Sequence, residues 1–135
     1  MVIEAVEFEL VSPERLLLSK GVEMVVVPGE EGDFGVLPRH SPLLSTVRPG
    51  VIQVYEGGQV TDRIFVAGGF AEVTPARCTV LAERAMPVAD IDRAKTEQEL
   101  SDARDDIVDA KTDEDRQIAE NKVAVAEAML KVAEG

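Results

Sequence analysis

The first two thirds of the chain show the alternation typical of half-buried β-strands. Apolar and acidic residues alternate over 6–10, as in a strand with one face on a core and the other in solvent. Four more strand-like runs lie at 21–27, 51–55, 64–67 and 78–82, and the first three of them are followed by turn residues. Turn signals recur at roughly 8–15-residue intervals without a helical stretch between them, which predicts an antiparallel β-sandwich or a flattened barrel.

Glycines mark the ends of several predicted strands. Gly57 and Gly58 follow the run 51–55 and predict a β-hairpin turn, and the run 64–67 is expected to stop at Gly68 and Gly69. The segment 28–44 is interpreted as a chain of tight turns. Its glycines are not followed by the Lys-Ser/Thr pair of a phosphate cradle, and its acidic residues would repel an anion.

From residue 89 the pattern acquires a helical period. Glycine and proline are absent from 88–134, and Asp90 and Thr112 are candidate N-caps of two helices. The short link between the helices predicts an antiparallel hairpin. Its seam is rich in alanine and therefore stabilises less than a leucine seam would. The predicted seam residues are Leu100, Ala103, Ile107 and Ala110, then Ala119, Val123, Ala126, Leu130 and Ala133, with Ile118, Val125, Met129 and Val132 widening the second face.

These two patterns predict an α+β protein that is mostly β. The expected organisation is an N-terminal antiparallel β-sandwich over residues 1–87, followed by a C-terminal antiparallel two-helix hairpin over 88–135. The boundary is placed near Pro87, where the period of the apolar residues changes.

Charge and composition exclude several classes of function. The 26 acidic residues outnumber the 14 basic ones, so we expect neither nucleic-acid binding nor attachment to anionic lipid. No apolar run is long enough to insert into a bilayer, and the first residues do not resemble a leader peptide. The lone His40 and lone Cys78 cannot form a Cys/His zinc site or a disulfide, and Cys78 is expected in the core. A Ser-His-Asp triad would have to use His40, whose segment contains no nucleophile elbow.

Four segments within residues 1–95 resemble the epsilon subunits of F-type ATP synthases. They occur in the family's order and at similar separations. Beyond residue 95 the resemblance rests on length, helical pattern and alanine content. The matching segments read Pro28-Gly29-x-x-Gly32-x-Phe34-Gly35-Val36-Leu37-Pro38-x-His40-Ser41-Pro42-Leu43-Leu44, Arg48-Pro49-Gly50, Gly68-Gly69-Phe70-Ala71-Glu72-Val73 and Val80-Leu81-Ala82-Glu83.

The resemblance implies a non-catalytic central-stalk subunit of a proton-translocating ATP synthase. Such a subunit links gamma to the ring of c subunits and couples rotation to ATP synthesis. It is peripheral, at the cytoplasmic face of the bacterial inner membrane, and needs no cofactor. By resemblance, the c-ring contact is Glu31, Gly32 and Asp33, and the gamma contact is Ser12, His40 and Ser45.

The family also implies a regulatory hairpin. Some members bind ATP there through Ile/Leu-Asp-x-x-Arg-Ala, and Ile91 and Asp92 match its first two positions. Lys95 and Thr96 replace the Arg and Ala, and because lysine lacks the bidentate fork of arginine, we expect no ATP binding. In inhibitory members the raised hairpin meets acidic loops of the beta subunits, so alpha and beta are further implied partners. The strongly acidic first helix predicts only weak inhibition of ATP hydrolysis.

Two other functions stay open on the sequence alone. The first is a free-standing β-sandwich binding module with a helical dimerisation tail. The second is a hydrolase that uses carboxylate pairs such as Glu30 and Asp33. Affinity for a gamma subunit distinguishes the predicted central-stalk subunit from both.

Overall fold

The computed structural model describes residues 4–134, and the protein forms two compact units, one ending at Pro87 and the other beginning at Val88. The first unit is built from strands and the second from helices, which confirms the predicted α+β class, mostly β. The strands are β1 (Val6–Val11), β2 (Leu16–Val22), β3 (Met24–Gly29), β4 (Gly32–Val36), β5 (Leu43–Thr46), β6 (Gly50–Glu56), β7 (Gln59–Val73) and β8 (Arg77–Pro87).

The strands pair in the order β2-β1-β8-β7-β6-β3-β4, and β5 pairs with β7. The pairs are antiparallel except β1 with β8, which run parallel. This parallel pair departs from the all-antiparallel prediction. Strands β2 to β7 lie between β1 and β8 in the sequence and supply the long connection that parallel neighbours need.

Strand β7 does not stop at its glycines, so the predicted end at Gly68 and Gly69 is wrong. Val66 pairs with Gly50 of β6, whereas Phe70 pairs with Thr46 of β5. The glycines adopt φ of +73° and +91°, and a Cβ on Gly69 would lie 1.8 Å from the carbonyl oxygen of Leu81. Only glycine fits there, and it allows one long strand to change partners without ending.

The paired strands fold over one core, which confirms the predicted sandwich. Lys20 on β2 lies 2.8 Å from Glu56 and 3.0 Å from Asp62, although β2 and β6 stand four places apart in the pairing order. The edge strand β2 therefore lies against β6 and β7, so the sheet folds over on itself. The core residues come from seven strands and from the residue that follows β5: Val6, Phe8, Leu10, Val22, Val25, Val27, Val36, Val47, Ile52, Val54, Ile64, Val66, Ala71, Val73, Cys78, Val80 and Ala82.

Two other strand predictions need correction. The run 21–27 is not one strand, because it breaks at Glu23, whose N–H donates to the Tyr55 carbonyl at 3.0 Å. The segment 28–44 is not a chain of turns, because it contains β4 and begins β5. Alternation is weak in β4, where glycine occupies two of five positions. The turn at Gly57 and Gly58 is confirmed, with φ of 62° and 76°.

The second unit is the predicted antiparallel helical hairpin. After a short 3₁₀ turn at Val88–Asp90, it consists of α1 (Arg93–Asp109) and α2 (Asp113–Glu134). An ion pair of 3.2 Å between Arg93 and Glu134 joins the start of α1 to the end of α2. Thr112 caps α2 as predicted, accepting from the Asp115 N–H at 3.0 Å. The prediction of Asp90 as the α1 cap is wrong, because Asp90 lies in the 3₁₀ turn and Asp92 is the N-cap.

The helices meet through small side chains, as the alanine-rich pattern indicated. The buried positions are Thr96, Leu100 and Ala103 on α1 and Ala119, Ala126 and Met129 on α2. Ala133, predicted in the seam, and Ile118, predicted to widen it, are both exposed. Among residues 4–134, no helix has the length and apolar character needed to cross a bilayer.

Candidate interaction surfaces

One row of cross-strand neighbours faces solvent across four strands. Val11 pairs with Leu81, Leu81 with Phe70, and Phe70 with Thr46. Directly opposed residues lie on the same face of a sheet. The next row, Leu10, Val80 and Ala71, is fully buried, so the row that begins at Val11 lies on the outer face.

Exposed apolar side chains extend this row at both ends. Leu16 pairs with Val11 and is 59% exposed, and Leu44, two residues before Thr46, is 67% exposed. Phe70 and Leu81 in the centre are 45% and 42% exposed. We call Leu16, Val11, Leu81, Phe70 and Leu44 the outer strip. A contiguous apolar patch on the surface of a soluble domain is typical of a protein-binding surface.

Two of the three predicted gamma-contact residues flank the outer strip. Ser12 follows Val11 in the turn after β1, where its N–H donates to the Arg15 carbonyl at 2.9 Å. Ser45 follows Leu44 but pairs with the buried Ala71, so it lies half-buried on the inward-facing row. β1 and β5 are three strand steps apart, about 14 Å. The structure thus spreads these positions across one sheet and does not gather them into a pocket.

His40 lies at the other end of this sheet from Ser12. The Arg39 N–H donates to the Pro75 carbonyl at 2.8 Å, which holds the loop against the β7–β8 turn. Arg39 has φ of 67° and an ion pair with Glu4. The hydrogen bond from this guanidinium lowers the pKa of Glu4. The half-buried His40 places Nδ1 2.6 Å from the Ser41 carbonyl.

The predicted c-ring contact is the tip of the β3–β4 hairpin. Gly29 pairs with Gly32, which leaves Glu30 and Glu31 as a two-residue turn. Gly32 adopts φ of +137°, where a side chain would be strained. Glu31, Gly32 and Asp33 are all exposed. The structure therefore brings these three residues together at one end of the sandwich.

Arg48 is a residue that motif comparison did not assign to this site. Its guanidinium donates to the Gly29 carbonyl at 2.6 Å and to Asp33 at 2.5 Å. Thr46 donates its hydroxyl to Glu30. The end of β5 and the residues that follow it therefore hold the acidic tip in place. The Arg48-Pro49-Gly50 motif was the available sequence signal, but nothing in its spacing indicated which residues it contacts.

The residues that match the nucleotide-binding motif lie at the start of the helical hairpin. Asp92 is the N-cap of α1 and accepts from the Lys95 N–H at 3.1 Å. Ile91 is half-buried, and Lys95 is exposed. A carboxylate that caps a helix satisfies an otherwise unpaired backbone donor. Asp92 therefore has a role in folding that is independent of any ligand.

Groups that could support chemistry are few. Within residues 4–134, no cluster of three or more His, Cys, Asp or Glu side chains is placed to hold a metal ion. Cys78 is fully buried, and desolvation raises the pKa of its thiol to about 12. A shallow pocket of about 260 Å³ opens near the turn of the helical hairpin, lined by Asp106, Asp109, Ala110, Asp115, Ile118, Ala119 and Lys122.

A β-sandwich with an exposed apolar strip beside an acidic tip, joined to a helical hairpin, has the features of a subunit that binds other proteins. Residues 5–88 match the family described as ATP synthase, Delta/Epsilon chain, beta-sandwich domain, and residues 92–135 match the C-terminal domain of the ATP synthase epsilon chain. The protein is 56% identical to the ATP synthase epsilon chain of Rhodospirillum rubrum, over 98% of both sequences. It is 55% identical to that of Maricaulis maris, over 96% of this chain and 97% of the relative. It therefore belongs to the ATP synthase epsilon chain family.

Solved structures share its fold. A chain of the Euglena gracilis mitochondrial ATP synthase, from a structure of OSCP/F1/c-ring in rotational state 1, superposes with a TM-score of 0.79 at 24% identity, covering 97% of this chain and 82% of that one. A chain from the central stalk/c-ring structure of the Tetrahymena thermophila mitochondrial ATP synthase gives 0.68 at 15% identity, with 96% and 97% covered. At these identities the likeness concerns the fold.

Proposed function

We propose that this protein is the non-catalytic central-stalk subunit that links gamma to the c-ring of a proton-translocating ATP synthase. The observation that carries the proposal is the adjacency of two different surfaces, one apolar and one acidic. They adjoin at Thr46, which pairs with Phe70 of the outer strip and donates to Glu30 of the tip. A subunit that transmits rotation between two bodies needs two such surfaces on one stiff unit.

The outer strip is the proposed gamma-binding surface. Its exposed leucines and Phe70 form an apolar band of the kind that gains free energy when a partner covers it. Ser12, a resemblance-based gamma contact, directly follows a residue of this strip, whereas Ser45 lies half-buried on the inward-facing row beside it. His40 lies apart from it, so its contact would extend the interface toward the β7–β8 turn.

The acidic tip is the proposed c-ring contact. An exposed acidic turn pairs with basic groups of a partner mainly to fix orientation and to speed association. Glu31 and Asp33 supply these charges, and Gly32 allows the turn. The protein would lie at the cytoplasmic face of the bacterial inner membrane, attached through its partner subunits.

The helical hairpin is the proposed regulatory element, with alpha and beta as its partners. The acidic residues of α1 outnumber its basic ones, and all of the acidic residues except the half-buried Glu99 are exposed. Acidic loops of beta would repel such a helix, so raising the hairpin along gamma is disfavoured and intrinsic inhibition of ATP hydrolysis is weak. Because Lys95 replaces the family's arginine, no ATP binding is proposed.

Reconstitution tests the proposal. ATP synthase depleted of its epsilon subunit is placed in vesicles, the full-length protein is added, and ATP-driven proton pumping is measured with a pH-sensitive dye. We expect pumping per ATP hydrolysed to rise to the level of the intact complex. A homodimer in sedimentation, with no affinity for gamma and no effect on pumping, would instead support the free-standing binding module.

A further inference from the structure

Arg48 contacts both sides of the β3–β4 hairpin immediately behind its tip. One guanidinium nitrogen donates to the Gly29 carbonyl on β3 at 2.6 Å, and the other donates to Asp33 on β4 at 2.5 Å. The Arg48 N–H also donates to the Pro28 carbonyl at 3.0 Å. A planar guanidinium with several donors suits such bridging, whereas lysine offers one flexible point charge.

These contacts divide the three acidic residues of the tip into two kinds. Asp33 is paired with Arg48, and Glu30 accepts from the Thr46 hydroxyl. The Glu30 N–H also donates to the Thr46 carbonyl at 3.0 Å. Glu31 is exposed and makes no hydrogen bond or ion pair within residues 4–134. Its carboxylate is therefore the one in the tip that is free to pair with another protein.

We infer that Arg48 is a positioning residue that fixes the tip, so that Glu31 alone provides the charge contact to a basic side chain of the c-ring. The inference rests on the proposed function. It gives different roles to the two acidic residues that the resemblance assigned to the c-ring contact. Glu31 contacts the partner, whereas Asp33 acts through Arg48. Because Arg48 follows β5, which pairs with β7 beside the outer strip, the same segment links the tip to the proposed gamma surface.

The test measures how much the c-ring adds to binding. The affinity of the full-length protein is determined for isolated gamma and for a detergent-solubilised complex of gamma with the c-ring. The dissociation constant for gamma alone is divided by the dissociation constant for the gamma–c-ring complex. This ratio measures how much the c-ring adds to the affinity. Glu31→Gln should reduce this ratio about fivefold and leave affinity for gamma alone unchanged, as expected for one partly desolvated charge pair. Glu7→Gln removes the same charge from an exposed position near the start of β1 and should have no effect.

A double-mutant cycle between Asp33 and Arg48 then tests positioning. If Asp33 acts only through Arg48, then Asp33→Asn and Arg48→Gln should each reduce the ratio about threefold, and the double variant should do no further harm. Arg48→Lys should recover only part of the loss, because lysine cannot bridge both partners. Amide hydrogen exchange at 29–33 should accelerate in Arg48→Gln and not in Glu31→Gln.

The results that would overturn each step are distinguishable. If the c-ring adds nothing to the affinity of the unmodified protein, the proposed c-ring contact is wrong and the inference falls with it. If the c-ring contributes but the losses from Asp33→Asn and Arg48→Gln multiply, Asp33 contacts the partner directly and the role assigned to Arg48 is wrong. If Glu31→Gln leaves the ratio unchanged while the c-ring contributes, the assignment of Glu31 is wrong.

Discussion

Removing the Phe70 ring should weaken binding to gamma strongly and leave the fold intact. Phe70 is 45% exposed at the centre of the outer strip. An aromatic side chain buries roughly 200 Å² when fully covered, so about 90 Å² remains for a partner to cover. At about 25 cal/mol per Å², that area is worth roughly 2 kcal/mol. Phe70→Ala should therefore raise the dissociation constant for gamma by about 10- to 30-fold.

The assay is isothermal titration of purified gamma with the full-length protein. Val60→Ala is the matched control, because Val60 is 40% exposed on the same strand but lies near its other end. It should change the affinity for gamma less than twofold. Thermal unfolding should show Phe70→Ala as stable as the unmodified protein to within about 0.5 kcal/mol, because surface substitutions have small effects.

Two results would refute this reasoning. Unchanged affinity in Phe70→Ala would show that gamma does not cover the centre of the outer strip. Equal losses in Phe70→Ala and Val60→Ala would show that the effect is not specific to that face. Either result would require another surface for gamma, beginning with the loop that contains His40.

Three further predictions concern the core, the sheet closure and the hairpin. Cys78, with a pKa of about 12, should stay unreactive to a disulfide reagent at pH 8 until the protein unfolds; rapid labelling of the native protein would contradict its burial. The hydrogen bond between Lys20 and Glu56 lowers the pKa of Glu56 and raises the pKa of Lys20. The pair therefore stabilises the folded protein between about pH 4.5 and 10.5, the ordinary pKa values of the two groups. Lys20→Met should lower the unfolding midpoint by about 2–4 °C at pH 7 and by progressively less as the pH falls below 4.5; a difference that does not shrink in acid would exclude the ion pair as its cause. Truncation after Pro87 should raise ATP hydrolysis by the assembled complex less than about twofold; a several-fold rise with pumping intact would show that the hairpin inhibits strongly despite its charge.

The sequence predicted the fold where local pattern and tertiary packing agree. Alternation over 6–10 and the glycine turn at Gly57 and Gly58 identified β1 and the β6–β7 hairpin, because both depend on neighbouring residues. The end of β7 was misplaced at Gly68 and Gly69. Glycine commonly ends a strand, but here it allows close approach to β8, which only the tertiary pairing reveals.

The candidate surfaces were predictable only in part. The motif comparison identified the acidic tip and its glycine, since these residues are contiguous in the sequence. The outer strip was not found, because its residues come from β1, β2, β5, β7 and β8 and adjoin only through the register of the sheet. Arg48 was missed for the same reason, since it lies 15 residues from Asp33 in the sequence.

The central claim is that two surfaces of one protein contact two different subunits. Site-specific photo-crosslinking tests it most directly, with a photoreactive amino acid at Leu81 in one variant and at Glu31 in another, each assembled into the complete ATP synthase. We predict that the Leu81 probe labels gamma and that the Glu31 probe labels the c-ring. Labelling of the same subunit by both probes, or of the c-ring by the Leu81 probe, would contradict the account.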